Sequence, residues 1–268
     1  MTLARTLTVA GSDSGGGAGI QADLKTFTVL GTFGMSALTA ITAQNTLGVH
    51  GVWPLPLEAI AAQLDAVVTD IGVDAVKTGM LADAAVIELV AAKFREHRLT
   101  NVVVDPVMVA KGGHPLLAPG AQEALRRHLL PLARVVTPNL PEAEVLTGLT
   151  VHSERDMLEA ARRILADGVA AVIVKGGHLD GPARDLFYEG GGFEWLEARR
   201  IATPHTHGTG CTFSAAICAG LAKGRPLPDA VVEAKELITV AIAEAPGLGH
   251  GHGPTNVMAY RPKVGNHD

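Results

Sequence analysis

Cysteine and aromatic residues are scarce in this sequence of 268 residues, which has two cysteines and an aromatic content of 4%. Cys211 and Cys218 lie seven positions apart in a segment with a helical pattern. A helical rise of about 1.5 Å per residue separates them by roughly 10 Å, which excludes a disulfide between them. With so few aromatic rings, the sequence predicts a large core built mainly from Ala, Val, Leu and Ile.

Long basic runs and long apolar runs are also missing. The formal net charge is −5 and Lys or Arg residues are adjacent in pairs at most, which argues against a basic surface for nucleic acid. Residues 1–9 do not have the pattern of a signal peptide, and no apolar stretch reaches the length of a membrane span. We therefore expect a cytoplasmic enzyme or binding protein that associates with neither nucleic acid nor membrane.

Glycine, by contrast, is abundant: 31 residues, about 12% against a usual share of about 7%.

Short β-branched runs alternate with longer helical patterns, which predicts βαβ units around a mostly parallel sheet. The predicted strands cover residues 6–10, 35–43, 75–77, 102–105, 135–137, 171–175, 185–188 and 193–196. The last two flank Gly190, Gly191 and Gly192 and form a predicted hairpin at the edge of the sheet.

Most predicted strands end in a polar or glycine-rich loop. Because ligands bind at the carboxyl ends of parallel strands, this row of loops predicts a pocket. The loop at residues 11–19 matches neither the Walker nor the dinucleotide fingerprint, and its glycines indicate close backbone approach to a ligand or a tight turn.

The segment from Gly208 to Cys211 precedes a helical run of small residues. Its backbone N–H groups can hold a phosphate or a developing anion, although a tight turn packed on the sheet fits equally well. At a helix start the pKa of the Cys211 thiol is expected to fall, which makes a base or nucleophile conceivable; the alternative is a small buried apolar residue.

Two further charged residues stand at the predicted sheet edge. Glu142 at a helix start stabilises the helix dipole and can also orient water around Mg²⁺. Lys175 ends an apolar strand and needs an anionic partner, either a phosphate or a nearby Asp. The eleven histidines show no metal-ligand spacing, so we interpret them as solvated loop residues.

Six motifs, taken in order, resemble the ribokinase-like superfamily and within it the hydroxymethylpyrimidine/phosphomethylpyrimidine kinases. They are AGSDSGGGAGIQADLKTF at 10–27, TAQNT at 42–46, KTGML at 77–81, TPNLPEA at 137–143, KGGH at 175–178 and HGTGCT at 207–212. The resemblance implies one kinase domain over residues 1–268, a three-layer α/β/α sandwich with a central, mostly parallel sheet. It also implies that ATP with Mg²⁺ phosphorylates 4-amino-5-hydroxymethyl-2-methylpyrimidine, here called the pyrimidine alcohol, and then its monophosphate, in thiamine biosynthesis.

The resemblance assigns roles by position. The residues that it implies for binding the ring are Gly11, Asp23, Gln44, Met80 and the backbone of Val107. Phosphate and Mg²⁺ would be bound by Asp105, Asn139 and Glu142, with Asp105 and Glu142 at the metal, and ATP by Lys175 and Thr209. The catalytic anion hole would be formed by Gly208, Gly210 and Cys211. Most sugar kinases of the superfamily have Asp in place of Cys211. Our hypothesis is that Cys211 takes the proton of the alcohol in the first transfer, whereas the second needs no base.

Two other functions remain open at this point: a pyridoxal or pyridoxine kinase of the same superfamily, and a non-catalytic pyrimidine-binding protein. Gln44 and Met80 favour the pyrimidine, and Lys175, Glu142 and the intact Gly208–Cys211 segment favour catalysis. A homodimer is expected. We interpret the glycine-flanked residues 111–117 as a flap over the site.

Overall fold

Nine strands form one mixed sheet in the computed structural model, which describes residues 3–110, 112–177 and 182–262. The strands are β1 (Arg5–Asp13), β2 (Phe33–Asn45), β3 (Gly48–Pro54), β4 (Ala75–Thr78), β5 (Val102–Val104), β6 (Val135–Val136), β7 (Ala171–Lys175), β8 (Ala183–Glu189) and β9 (Gly192–Ala198). Their order is β3-β2-β1-β4-β5-β6-β7-β8-β9. The six strands from β2 to β7 in that order are parallel, whereas β3, β8 and β9 are antiparallel to their neighbours.

Helices cover both faces of the sheet. They are α1 (Gly19–Val29), α2 (Leu57–Asp70), α3 (Ala84–Glu96), α4 (Ala121–Ala124), α5 (Leu140–Thr147), α6 (Glu154–Leu165), α7 (Thr209–Ala222) and α8 (Leu227–Ala243). One core lies between the sheet and α2 to α6, and the other between the sheet and α1, α7 and α8. The predicted three-layer α/β/α architecture is therefore confirmed.

The central strands supply both cores because their side chains alternate between the two faces. In β5, Val102 and Val104 face the first core and Val103 faces the second. Strands buried on both faces are continuous apolar runs, which explains why this part of the sheet could be recognised from the sequence. The largest buried aromatic side chains are Phe27 and Phe94 among mainly aliphatic neighbours.

Three local features differ from the prediction. β3 was not expected, since its seven residues are half-buried or exposed and carry no alternating pattern. The helical periodicity of residues 120–128 predicts one α-helix, but the segment is α-helical only in α4. It continues as a π-helical turn at Leu125–Leu129 and a 3-10 turn at Leu130–Leu132. Finally, α7 begins at Thr209 rather than at residue 212, so Cys211 lies in its first turn.

The predicted hairpin at the sheet edge is confirmed. Glu189 of β8 pairs with Gly192 of β9. The two residues between them, Gly190 and Gly191, have φ values of 61° and 83°, which only glycine adopts without strain. No helix of the described ranges is both long enough and apolar enough to cross a membrane.

Candidate active site

The carboxyl ends of β5, β6 and β7 lie side by side at the centre of the sheet, and α7 begins above them. Asp105 follows β5, Asn139 follows β6, and Lys175 is the last residue of β7. The topology thus brings to one place three residues that lie far apart in the sequence.

An ion pair between Lys175 and Asp105 stands at the middle of this edge. Lys175 Nζ lies 3.2 Å from Asp105 Oδ1, and the hydroxyl groups of Thr137 and Ser214 donate to the same carboxylate at 3.3 and 3.4 Å. Burial alone would lower the pKa of Lys175, but the charges of Asp105 and Glu142 raise it above its ordinary value. The sequence left two possible partners open for Lys175, a phosphate or a nearby Asp. In the unliganded protein the partner is Asp105.

Glu142 and Asn139 form a reciprocal cap at the start of α5. The Glu142 backbone N–H donates to Asn139 Oδ1 at 2.9 Å, and the Asn139 backbone N–H donates to Glu142 Oε2 at 2.8 Å. Burial raises the pKa of Glu142 to about 7, against the lowering effect of nearby Lys175. Glu142 therefore changes charge within the physiological pH range.

The first turn of α7 lies directly beside the Lys175–Asp105 pair. A Cβ atom added to Gly210 would stand 3.2 Å from Lys175 Nζ and 3.6 Å from Asp105 Oδ2, so the close approach depends on glycine. The first N–H groups of a helix have no acceptor within the helix. In the unliganded protein the Thr209 hydroxyl donates to the carbonyl of Thr206 at 2.8 Å, and its role in binding ATP stays a prediction.

Cys211 has the expected position but not the expected pKa. Burial raises the pKa of its thiol to about 11, although Lys77 opposes the rise and the Gly19 backbone N–H donates to the sulfur. The expected lowering at the helix start is thus outweighed by burial, and the thiol is protonated at neutral pH in the unliganded protein.

The residues predicted to bind the ring fall into three groups. Gly11 and Met80 are in contact, since a Cβ on Gly11 would lie 3.1 Å from Met80 Sδ. Gln44 lines a neighbouring cavity together with His207, His252 and the tip of the β2–β3 hairpin. Val107 offers only its carbonyl oxygen, because its N–H donates to the Asp105 carbonyl at 2.8 Å.

Asp23 lies beside Lys77 in the interior, and its role in binding the ring stays a prediction. Its side chain is fully buried, and its two oxygens lie 2.9 and 2.8 Å from Lys77 Nζ. The Thr8 hydroxyl donates to one of them at 2.6 Å. In the unliganded protein Asp23 therefore neutralises a buried lysine.

Sequence reasoning missed Lys77 and misjudged His207. Lys77 lies in a buried strand, and the cost of burying an unpaired charge, which drew attention to Lys175, applies to it equally. The interpretation of His207 as a solvated loop residue is wrong: it is 9% exposed, and its Nε2 lies 2.8 Å from Asp13 Oδ2. The KGGH motif points to Lys175 but ends in His178, which lies outside the described residues.

The glycine-rich loop after β1 is folded around Asp13. The carboxylate of Asp13 accepts the backbone N–H groups of Gly15, Gly17 and Ala18 at 2.8 to 3.1 Å. These donors are therefore turned away from any ligand. The glycines permit close packing of chain on chain instead: a Cβ on Gly208 would lie 1.7 Å from the carbonyl oxygen of Gly17.

A three-layer sandwich with a Lys–Asp pair and a glycine-rich helix start at one sheet edge defines a small-molecule kinase of the ribokinase-like class. The family model of phosphomethylpyrimidine kinase matches residues 13–256. The chain belongs to the phosphomethylpyrimidine kinase family.

Three similar proteins place the chain within this family. It is 52% identical to a hydroxymethylpyrimidine/phosphomethylpyrimidine kinase of Haemophilus influenzae over 96% of this chain and 97% of that protein. It is 56% identical to the thiamine biosynthesis bifunctional protein ThiED of Geobacter sulfurreducens over 93% of this chain, and it spans only 51% of the length of that relative. Among solved structures, the ADP complex of Bacillus subtilis pyridoxal kinase has a TM-score of 0.91 and 49% identity over 96% of this chain and 98% of that one.

Proposed function

We propose that the protein uses ATP and Mg²⁺ to phosphorylate the pyrimidine alcohol and then its monophosphate. The observation that carries this proposal is the Lys175–Asp105 pair, placed beside Glu142 and against the open first turn of α7. Phosphoryl transfer depends mainly on positioning and on neutralising charge, and this arrangement supplies a cation and oriented N–H groups at one point. The ADP complex of the Bacillus subtilis relative supports the use of ATP.

One assay separates this function from the alternatives. Purified protein is incubated with ATP and Mg²⁺ and either the pyrimidine alcohol or pyridoxal, and the products are followed by mass spectrometry. Successive appearance of pyrimidine mono- and diphosphate is the expected result. Turnover of pyridoxal alone would favour a pyridoxal kinase, the alternative supported by the Bacillus relative. Binding of the pyrimidine without turnover would favour a non-catalytic protein.

The carboxylates of Asp105 and Glu142 fit a Mg²⁺ site. Both are buried at the same sheet edge and offer oxygen atoms, the donors that Mg²⁺ prefers. Bound Mg²⁺ would neutralise charge on the phosphate oxygens. Lys175 would bind the same oxygens from the side of β7, and the Gly208–Cys211 segment would hold them from above.

We retain Cys211 as the proposed base for the first transfer only. Because its thiol has a pKa of about 11, a base role would make the first transfer about tenfold faster per pH unit near neutrality. The acceptor in the second transfer is a phosphate oxygen, which is already ionised and needs no base.

Replacing Cys211 tests this role. Cys211→Ala should slow the first transfer far more than the second and remove the rise of its rate above about pH 8, where Glu142 is already mostly ionised. Cys218→Ala is the matched control, since it removes a buried thiol from the same helix. Equal losses in single-turnover measurements of both transfers would contradict the base role.

A homodimer is proposed through the face formed by β2 and β3. Strand β3 is the edge of the sheet, and it pairs Trp53 with Ile41 of β2; these side chains are 58% and 47% exposed. Such an apolar patch at a strand edge is typical of an interface. Trp53→Glu should yield monomers in analytical ultracentrifugation, whereas Val232→Glu on the exposed side of α8 should not. A wild-type monomer would contradict the proposal.

The cytoplasmic location stays a prediction. Fractionation of cells that produce the full chain would test it.

A further inference from the structure

Asp13 and His207 form a buried pair that the proposed reaction leaves without a role. Asp13 is 3% exposed and His207 is 9% exposed, and His207 Nε2 lies 2.8 Å from Asp13 Oδ2. The two residues come from β1 and from the loop before α7. Their contact therefore ties the glycine-rich loop to the start of the catalytic helix.

The Asp13 side of this pair is rigid. Besides His207, its carboxylate accepts three backbone N–H groups of its own loop, and its own backbone N–H donates to the side chain of Gln21 at 2.9 Å. Burial would raise the pKa of Asp13, but His207 and the backbone donors outweigh burial and lower it. Asp13 is therefore a fixed anion at neutral pH, and Nε2 of His207 carries the proton that it accepts.

The His207 side is fixed through its backbone. Its N–H donates to the Gly253 carbonyl at 3.1 Å, and its carbonyl accepts the Thr255 N–H at 3.2 Å. The ring leaves no room at Gly17, where an added Cβ would lie 2.4 Å from His207 Cδ2. The segment 253–255 and the glycine-rich loop thus hold the imidazole from two sides.

His207 lies next to two different parts of the proposed site. The Gln44 amide nitrogen lies 3.4 Å from His207 Nε2, on the side of the ring pocket. The next residue in the chain, Gly208, has a left-handed φ of 80° and is the N-cap of α7. Because the Nε2 proton is donated to Asp13, the ring holds the Gln44 amide by packing. A displacement of His207 would therefore change both the space beside that amide and the backbone that leads into the first turn of α7.

We propose that His207 and Asp13 are positioning residues that set the distance between the ring pocket at Gln44 and the anion hole at Gly208–Cys211. Neither residue is proposed to touch the reacting atoms. This inference rests on the proposed kinase function. It predicts a joint effect on pyrimidine binding and on turnover, with ATP binding left unchanged.

The test compares four variants with the wild type: His207→Ala, His207→Gln, Asp13→Asn and the combination of His207→Ala with Asp13→Asn. His152→Ala, an exposed histidine far along the chain, is the control. KM for the pyrimidine alcohol, KM for ATP, kcat and the melting temperature are measured for each. His207→Ala should raise the pyrimidine KM and lower kcat, each by about tenfold, with the ATP KM within about twofold of the wild type.

Two comparisons distinguish positioning from general stability. The Gln amide can donate to Asp13 from a place close to that of Nε2, so His207→Gln should recover at least half of the lost kcat/KM on a logarithmic scale. Because the two residues act as one unit, the double variant should be no worse than His207→Ala alone.

Three results would overturn the inference: a loss below about threefold in His207→Ala, a loss confined to the ATP KM, or a His207→Gln variant as impaired as His207→Ala at an unchanged melting temperature. A wild-type protein that does not turn over the pyrimidine alcohol would instead contradict the proposed function. The two failures are therefore distinguished by the wild-type measurement.

Discussion

At the scale of single residues, Glu142 gives the clearest dependence on pH. Burial raises its pKa to about 7, so its carboxylate becomes increasingly available for Mg²⁺ as the pH rises through that value. The second transfer, which needs no base, isolates this effect. We expect kcat/KM for ATP with Mg²⁺ to rise through about pH 7, and higher Mg²⁺ concentrations to move the midpoint to lower pH. Glu142→Gln should remove the rise, whereas Glu88→Gln on the surface of α3 should keep it. A midpoint of the pH profile that does not change with the Mg²⁺ concentration would contradict the proposed metal contact.

The carboxyl group of Glu142 also affects stability, which should fall with rising pH where activity should increase. Its pKa in the folded protein lies above its unfolded value, so the unfolded chain loses the proton first as the pH rises. The contribution of Glu142 to the free energy of unfolding should fall from about pH 4.5 to about pH 7 and stay constant above. Urea unfolding of the wild type and of Glu142→Gln across this pH range measures the difference between their free energies of unfolding. That difference should disappear near pH 4.5, where Glu142 is protonated in the folded protein.

The buried Lys77–Asp23 pair predicts a large and asymmetric cost of substitution. Both side chains are fully buried, so Lys77→Met leaves an uncompensated carboxylate and should lower the free energy of unfolding by about 3–5 kcal/mol. Adding Asp23→Leu should restore part of that loss. Lys93→Met, which breaks two solvent-screened ion pairs, should cost far less. A double variant less stable than Lys77→Met would contradict the view that the unpaired charge of Asp23 causes the loss.

At the scale of elements, the junction between the glycine-rich loop and α7 decides whether the site forms. Gly208 and Gly224 both have left-handed φ values, of 80° and 75°, but a Cβ on Gly208 would collide with Gly17 whereas none would be obstructed at Gly224. Gly224→Ala should therefore cost only about 1 kcal/mol of backbone strain. Gly208→Ala should cost more and abolish activity; urea unfolding and the kinase assay measure both effects. Equal stability of the two variants would contradict the close packing at this junction.

The sequence predicted the elements better than it predicted the contacts between them. The central strands were recognised because they are apolar on both faces, and the hairpin at Gly190 because of its glycines. β3 was missed because an edge strand with exposed residues such as Trp53 lacks the alternating pattern. The grouping of Lys175, Asp105 and Glu142 followed from the rule that loops at one sheet edge converge. His207 was misjudged, and the Lys77 partner of Asp23 was missed, because burial and ion pairing depend on residues far away in the chain.

At the scale of the whole molecule, the single domain predicted for residues 1–268 implies one cooperative unfolding transition. All nine strands of the described residues belong to one sheet, and both cores share it. Scanning calorimetry should show one transition whose calorimetric and van't Hoff enthalpies agree, provided that the protein concentration is held fixed. Two separate transitions would indicate independent parts. The same measurement on Trp53→Glu, in which the proposed dimer should not form, reports the unfolding of the monomer.

The arrangement of the two cores also sets the order in which the chain can fold during synthesis. The first core is covered by α2 to α6, which lie close in the sequence to strands on which they pack, as α2 follows β2 and β3 and α6 directly precedes β7. The second core needs α1 together with α7 and α8, and the last of these ends at Ala243. Nearly the whole chain must therefore leave the ribosome before the apolar face of α1 is covered. Until then, that face is exposed to chaperones and to other nascent chains.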